Sequence, residues 1–163
     1  MPLMNMFAHN TNIIHNTNSH PAASCEEFFR LKNLGIDIWI LVPTGIGVSR
    51  MLKNDGNITD AWYEKLEKFL GVDRDEINNT FYKKVTYQNL FGDETTIQYK
   101  ENNSISKIHN LYKERLLTIF KHVSDPFVLR NTTGSIMYHF MMATNNKNAL
   151  KIANEIIKPI YKL

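Results

Sequence analysis

The run Ile36-Asp37-Ile38-Trp39-Ile40-Leu41-Val42 constrains this chain more than any other feature. It is nearly continuous in apolar residues, rich in β-branched side chains and stopped by Pro43. That pattern suits a strand covered on both faces, as in a parallel sheet. It is far too short to cross a membrane, and no other apolar run approaches the roughly 18 residues a membrane span needs. A buried strand also needs partners on both edges, because an open apolar edge invites pairing with another chain. The first question is therefore what the remaining sequence supplies around this strand.

Upstream, Ser24-Cys25-Glu26-Glu27 has the form of a capping box. It predicts a helix to about Asn33, with Phe28, Leu31 and Leu34 inward and Gly35 ending it. Downstream, Thr44-Gly45-Ile46-Gly47-Val48-Ser49-Arg50 predicts a glycine turn into a short helix. Thr59 or Asp60 opens a helix through Leu70, closed by Gly71, and Asp73-x-x-Glu76 opens another to about Lys84. Residues Gly92 to Asn103 are polar and read as a loop. Ser104 caps the longest helix, whose inward stripe is Ile105, Ile108, Leu111, Tyr112, Leu116, Ile119 and Phe120. Strands near Phe127–Arg130 and Ser135–Met142 flank the turn Asn131-Thr132-Thr133-Gly134, a hairpin signal. Asn145 caps a last helix with Ala149, Ile152, Ala153, Ile156 and Ile157 inward, and Lys147, Lys151 and Lys158 on the opposite, solvated side.

The expected fold class is α/β: a partial Rossmann-like sheet of one buried strand plus a C-terminal antiparallel hairpin, flanked by helices. The chain has 163 residues, room for one domain. Residues 1–23 differ from the rest, being Asn/Thr-rich without apolar periodicity, and read as a flexible leader to a domain over 24–163. His9, His15 and His20 in that leader match no zinc-ligand spacing and have no carboxylate or thiol beside them, so no metal is expected. The one cysteine, Cys25, excludes an internal disulfide and suits a reducing cytosol. No basic segment followed by an apolar one marks a secretion signal, so a cytoplasmic protein is expected. The net charge of +3 comes from lysines spread along the chain, which permits a nucleic-acid partner without arguing for one.

Ligands of open α/β sheets bind beyond the carboxyl ends of the strands, which makes Pro43 to Arg50 the chemically most interesting stretch. A glycine turn entering a helix offers backbone N–H groups to an anion, and Arg50 adds charge. Gly45, Gly47 and Arg50 are the candidate ligand contacts, but Gly-x-Gly without a third glycine is a partial motif. The stronger reading is tight strand-to-helix packing, with Arg50 paired to a carboxylate such as Asp37 or Asp55. No nucleophile and base stand out. Cys25 lies beside Glu26 and Glu27, which would raise its pKa. Asp37 reads as a hydrogen-bonded structural carboxylate, His139 as a core histidine and Asp125 before Pro126 as a turn residue.

The segment Gly35 to Arg50 resembles the "Asp-Leu-Trp-x-Leu-x-Pro-x-Gly-x-Gly-Val-x-Arg" segment of the three-Cys-motif partner protein (TcmP) family. The motif positions here are Asp37, Trp39, Pro43, Gly45, Gly47 and Arg50. The resemblance continues through Trp62, Lys65-Leu66, Gly71, Phe81-Tyr82 and Leu90-Phe91-Gly92. It resumes at Arg115-Leu116, Gly134-Ser135, Met137-Tyr138, Ala143-Thr144-Asn145 and Ile152-Ala153. It implies the C-terminal half of a fold similar to class I methyltransferases, in a truncated or divergent member. The family's upstream "Phe-Ala-Gly-Pro-Gly" and "Asp-Pro-Phe/Tyr-Gly" motifs have no counterpart in this sequence. The implied role is an accessory factor for a three-Cys-motif protein encoded nearby, a phage-type protein resembling radical-SAM enzymes, with no cofactor held by this chain alone. The alternative is an S-adenosylmethionine-dependent methyltransferase-like protein acting on nucleic acid, its donor site completed by another chain. Self-association through the unpaired edge of the Ile36–Val42 strand is a further expectation.

Overall fold

The computed structural model describes residues 11–14, 35–88 and 92–157. The first half runs β1 (Thr11–Ile14), β2 (Asp37–Val42), a π-helical turn (Thr44–Val48), α1 (Ser49–Met51), α2 (Asp60–Leu70) and α3 (Arg74–Phe81). The second half runs β3 (Tyr82–Gln88), β4 (Glu94–Lys100), α4 (Ser104–Leu117), β5 (His122–Val123), β6 (Phe127–Arg130), β7 (Ile136–Thr144) and α5 (Lys147–Ile157). The expected helix over 24–33, with its Ser24–Glu27 cap and Cys25, lies outside the described residues.

The apolar run forms β2, as expected, and its surroundings are mixed rather than parallel. β1 pairs with β2 in parallel, from Thr11 opposite Asp37 to Ile14 opposite Ile40. β7 takes the other edge antiparallel, from Ile38 opposite Ala143 to Val42 opposite His139. β5 and β6 share the far edge of β7. The chain is thus mixed α/β with a mainly antiparallel sheet. Two expectations change here. The second edge of β2 is occupied by Thr11–Ile14, so it supplies no reason for self-association. Burial along β2 alternates, with Ile38, Ile40 and Val42 fully buried and Asp37, Trp39 and Leu41 half-buried. One face therefore carries most of the burial, worth about 1.5–3 kcal/mol per aliphatic side chain.

That face meets α4, whose stripe lands where the periodicity placed it. Ile108, Leu111, Tyr112 and Leu116, followed by Ile119 and Phe120, join Ile38, Ile40 and Val42 in one core with the inner faces of α2 and α3. Asp73 caps α3 by accepting from the Glu76 amide at 2.8 Å. Gly71 ends α2 in the left-handed conformation, φ 68°, and the Arg115 guanidinium donates to its carbonyl. The hairpin turn is held by Asn131, whose Oδ1 accepts from the Ser135 and Thr133 amides at 2.8 and 3.1 Å.

Three further features differ from expectation. The helix opened at Asp73 stops at Phe81 rather than near Lys84, because Phe81 is swallowed by the core and Tyr82 turns extended. The polar stretch from Gly92 to Asn103 is not a loop. Its residues Glu94–Lys100 are β4, paired antiparallel with β3 in a separate two-stranded ribbon. On α5 only Ala153 and Ile157 are buried, while Ile152 and Ile156 are each more than half exposed.

Candidate functional site: the carboxyl end of β2

β2 ends at Pro43, whose carbonyl accepts from both Gly47 N (3.1 Å) and Val48 N (3.0 Å). Two of the amides that an anion would use are therefore already committed. The glycines answer to packing. A Cβ on Gly45 would stand 1.8 Å from the Ile136 carbonyl oxygen, so the turn presses directly on the start of β7. A Cβ on Gly47 would meet the Pro43 ring at 3.2 and 3.3 Å.

Between these glycines and the core lies a buried polar centre. The Thr44 hydroxyl and His139 Nδ1 are 2.7 Å apart, with Thr44 at 0% and His139 at 6% exposure. The His139 ring stacks on His109 of α4, centroids 4.6 Å apart and planes inclined by 25°. His109 is 9% exposed, and its Nδ1 lies 3.1 Å from Asn110 Oδ1. A carbonyl oxygen only accepts, so Nδ1 carries the proton and Nε2 is a bare lone pair. That Nε2 is buried and has no partner among the described residues. An orphaned acceptor is tolerable in a neutral imidazole. A proton there would bury an unpaired charge.

Both rings are held neutral. Burial, reinforced by the neighbouring His109 ring and by the Arg130 charge, pushes His139 down to about 4. Burial also lowers His109, helped by Lys113, while the Asn110 bond pulls the other way. The Thr44–His139 distance is that of a hydroxyl and a general base. Thr44 nevertheless offers no surface to a substrate, so the pair serves as a pin joining the end of β2, β7 and α4.

The motif positions separate into packed residues and one free side chain. Asp37 accepts a hydrogen bond from the Thr144 hydroxyl, and Trp39 stacks on Phe140 at 5.0 Å. Arg50 is exposed, and among the described residues it pairs with neither Asp37 nor Asp55. Asp55 instead accepts from the Asn57 amide at 3.0 Å. Gly45, Gly47 and Arg50 thus lie in one segment, with the arginine alone open to a partner. Asp125 is exposed in the turn before β6. No three His, Cys, Asp or Glu side chains among the described residues stand together as a metal cluster. His9, His15 and His20 lie outside the described residues. No helix among the described residues is long and apolar enough to cross a membrane.

Thr44 and His109 are the site residues that the sequence reading passed over. His109 lies on the inward stripe of α4, four residues after Ile105 and three before Tyr112, and that spacing was the available signal. No family model, no curated protein and no solved structure matches this chain.

Proposed function

We propose that the chain is a cytoplasmic accessory subunit that works through a protein partner and does not carry out a reaction alone. Its resemblance to three-Cys-motif partner proteins nominates that partner, a three-Cys-motif protein encoded nearby, and its fold as the C-terminal half of a Rossmann-type domain. The mixed sheet supports this reading: a buried strand with a parallel neighbour on one edge and a C-terminal antiparallel hairpin on the other.

The observation that carries the reading is the sealed end of β2. An open α/β sheet holds its ligand at that end. Here the position is filled by the chain itself, with Thr44 at 0% exposure and Gly45 against the Ile136 carbonyl. Arg50 remains available for docking beside the plugged crevice. Co-expression with the nearby three-Cys-motif protein, followed by size-exclusion chromatography with light scattering, tests the proposal. A stoichiometric complex weakened by Arg50→Ala is expected. Separate elution of the two proteins contradicts it.

A further inference from the structure

The ribbon of β3 and β4 has two unlike faces. Its inner face is rooted in the protein: Tyr82 OH donates to the Lys53 carbonyl at 2.8 Å, and Lys100 Nζ donates to the Leu52 and Ser49 carbonyls at 2.8 and 3.2 Å. Strand alternation sends the other set of side chains outward. Lys83, Val85 and Tyr87 there stand opposite Tyr99, Ile97 and Thr95. Tyr87, Ile97 and Tyr99 are 54%, 51% and 43% exposed. This outward face bears a lysine and no acidic side chain.

At the root of the ribbon, Tyr99 and Lys83 open onto a cleft of about 350 Å³, lined also by Lys100, Glu101, Asn102 and Asn103. Glu101 is already engaged, 2.9 Å from Lys107 and 4.0 Å from Lys83. The hydrogen bond from Lys107 is the main reason its carboxyl is held below the usual range. Two ammonium groups, Lys83 and Lys107, therefore flank one carboxylate, while the Lys100 ammonium is turned to the Leu52 and Ser49 carbonyls, and this end of the outward face is left net positive by one charge.

The geometry points to this face as a binding surface for single-stranded nucleic acid, with bases stacked on Tyr99 and Tyr87 and the phosphate chain following Lys83 and the cleft. Tyrosine rings offer a π-face to any unpaired base, and lysines offer the backbone its counter-charge. Tyr99 and the Tyr87 pair are four residues apart along the ribbon, about 13 Å at strand spacing. Val85 and Ile97 form an apolar floor between them. A duplex keeps its bases stacked on one another and could not use the rings in this way. The surface is separate from the glycine turn, so this inference does not depend on the accessory-subunit reading.

Fluorescence anisotropy of the full chain with short labelled oligothymidylate and oligouridylate tests the assignment. Saturable binding that weakens as salt rises is expected. Tyr99→Ala and Tyr87→Ala should each weaken it by about tenfold, from the stacking lost per base. Lys83→Gln should weaken it less and flatten the salt dependence, whereas Lys151→Gln on α5 should change nothing. All four side chains are exposed, so circular dichroism melts should stay close to wild type. Absence of saturable binding overturns the proposal, as does binding indifferent to both tyrosines. Light scattering that shows a dimer dissolved by Tyr99→Ala also overturns it, because the face would then belong to a second copy.

Discussion

Acidification strikes the buried histidine pair before it reaches most carboxylates, and His139 gives the size of the effect. In the folded chain this ring is pushed down to about 4, against roughly 6.5 for an unfolded histidine. Above pH 6.5 both states hold it neutral, and it adds no pH dependence. As pH falls below 6.5, the unfolded chain takes up the proton and the folded chain does not, so stability is lost. The loss grows until pH reaches about 4, where the difference of about 2.5 units corresponds to about 3 kcal/mol. At pH 5 about 2 kcal/mol is already gone, a large part of the 5–15 kcal/mol typical of a domain. His109, also lowered by burial, adds in the same direction. The assay is urea unfolding followed by Trp fluorescence at pH 7.5, 6 and 5, for wild type and His139→Gln. The glutamine can still bond Thr44 but cannot titrate. Wild type should lose about 2 kcal/mol more than the variant between pH 7.5 and 5. Parallel pH profiles for the two proteins would refute the reasoning, because the loss would then come from groups elsewhere.

Gly45→Ala probes the packing of the glycine turn, with Gly134→Ala in the β6–β7 hairpin as its comparison. Gly45→Ala places a methyl 1.8 Å from the backbone oxygen of Ile136, so it should cost more than the 1–3 kcal/mol of ordinary overpacking. Gly134→Ala, at φ 80° with open space around it, should cost only about 1–2 kcal/mol, and similar urea midpoints for the two would refute the packing account. Arg50→Ala should change stability by less than about 0.5 kcal/mol, because the guanidinium is exposed and has no ion-pair partner among the described residues. A thermal melt showing a loss beyond about 1 kcal/mol would place Arg50 in the structure rather than at a docking surface.

Elements whose signal is local were legible in the sequence. The run to Val42, the stripe of α4, the Asp73 cap and the Asn131–Gly134 hairpin turn each follow from a few neighbouring residues. The ribbon was masked by polarity: Lys83 and Lys84 read as the end of the helix opened at Asp73, and Thr95 and Thr96 read as loop. The alternation of Lys83, Val85 and Tyr87 before Gly92-Asp93, and of Thr95, Ile97 and Tyr99 after it, carried the hairpin signal. β1 has almost no signature of its own, since four residues of an Asn/Thr-rich stretch become a strand only by lying along β2. The polar centre was illegible for a related reason. His109 and His139 meet only when α4 packs on β7, and sequence spacing does not report that contact. Thr44, 0% exposed against His139, the committed Gly47 and Val48 amides and Gly45 against Ile136 tell the glycine turn apart from an open ligand loop, and none of these contacts shows in the sequence.

Titration calorimetry of the isolated chain with S-adenosylmethionine tests the central claim most directly. The end of β2 is filled by Thr44, His139 and the turn pressed on Ile136, which leaves a donor molecule no place there. The account predicts no binding heat up to millimolar ligand. Micromolar, one-to-one binding by this chain alone would contradict it.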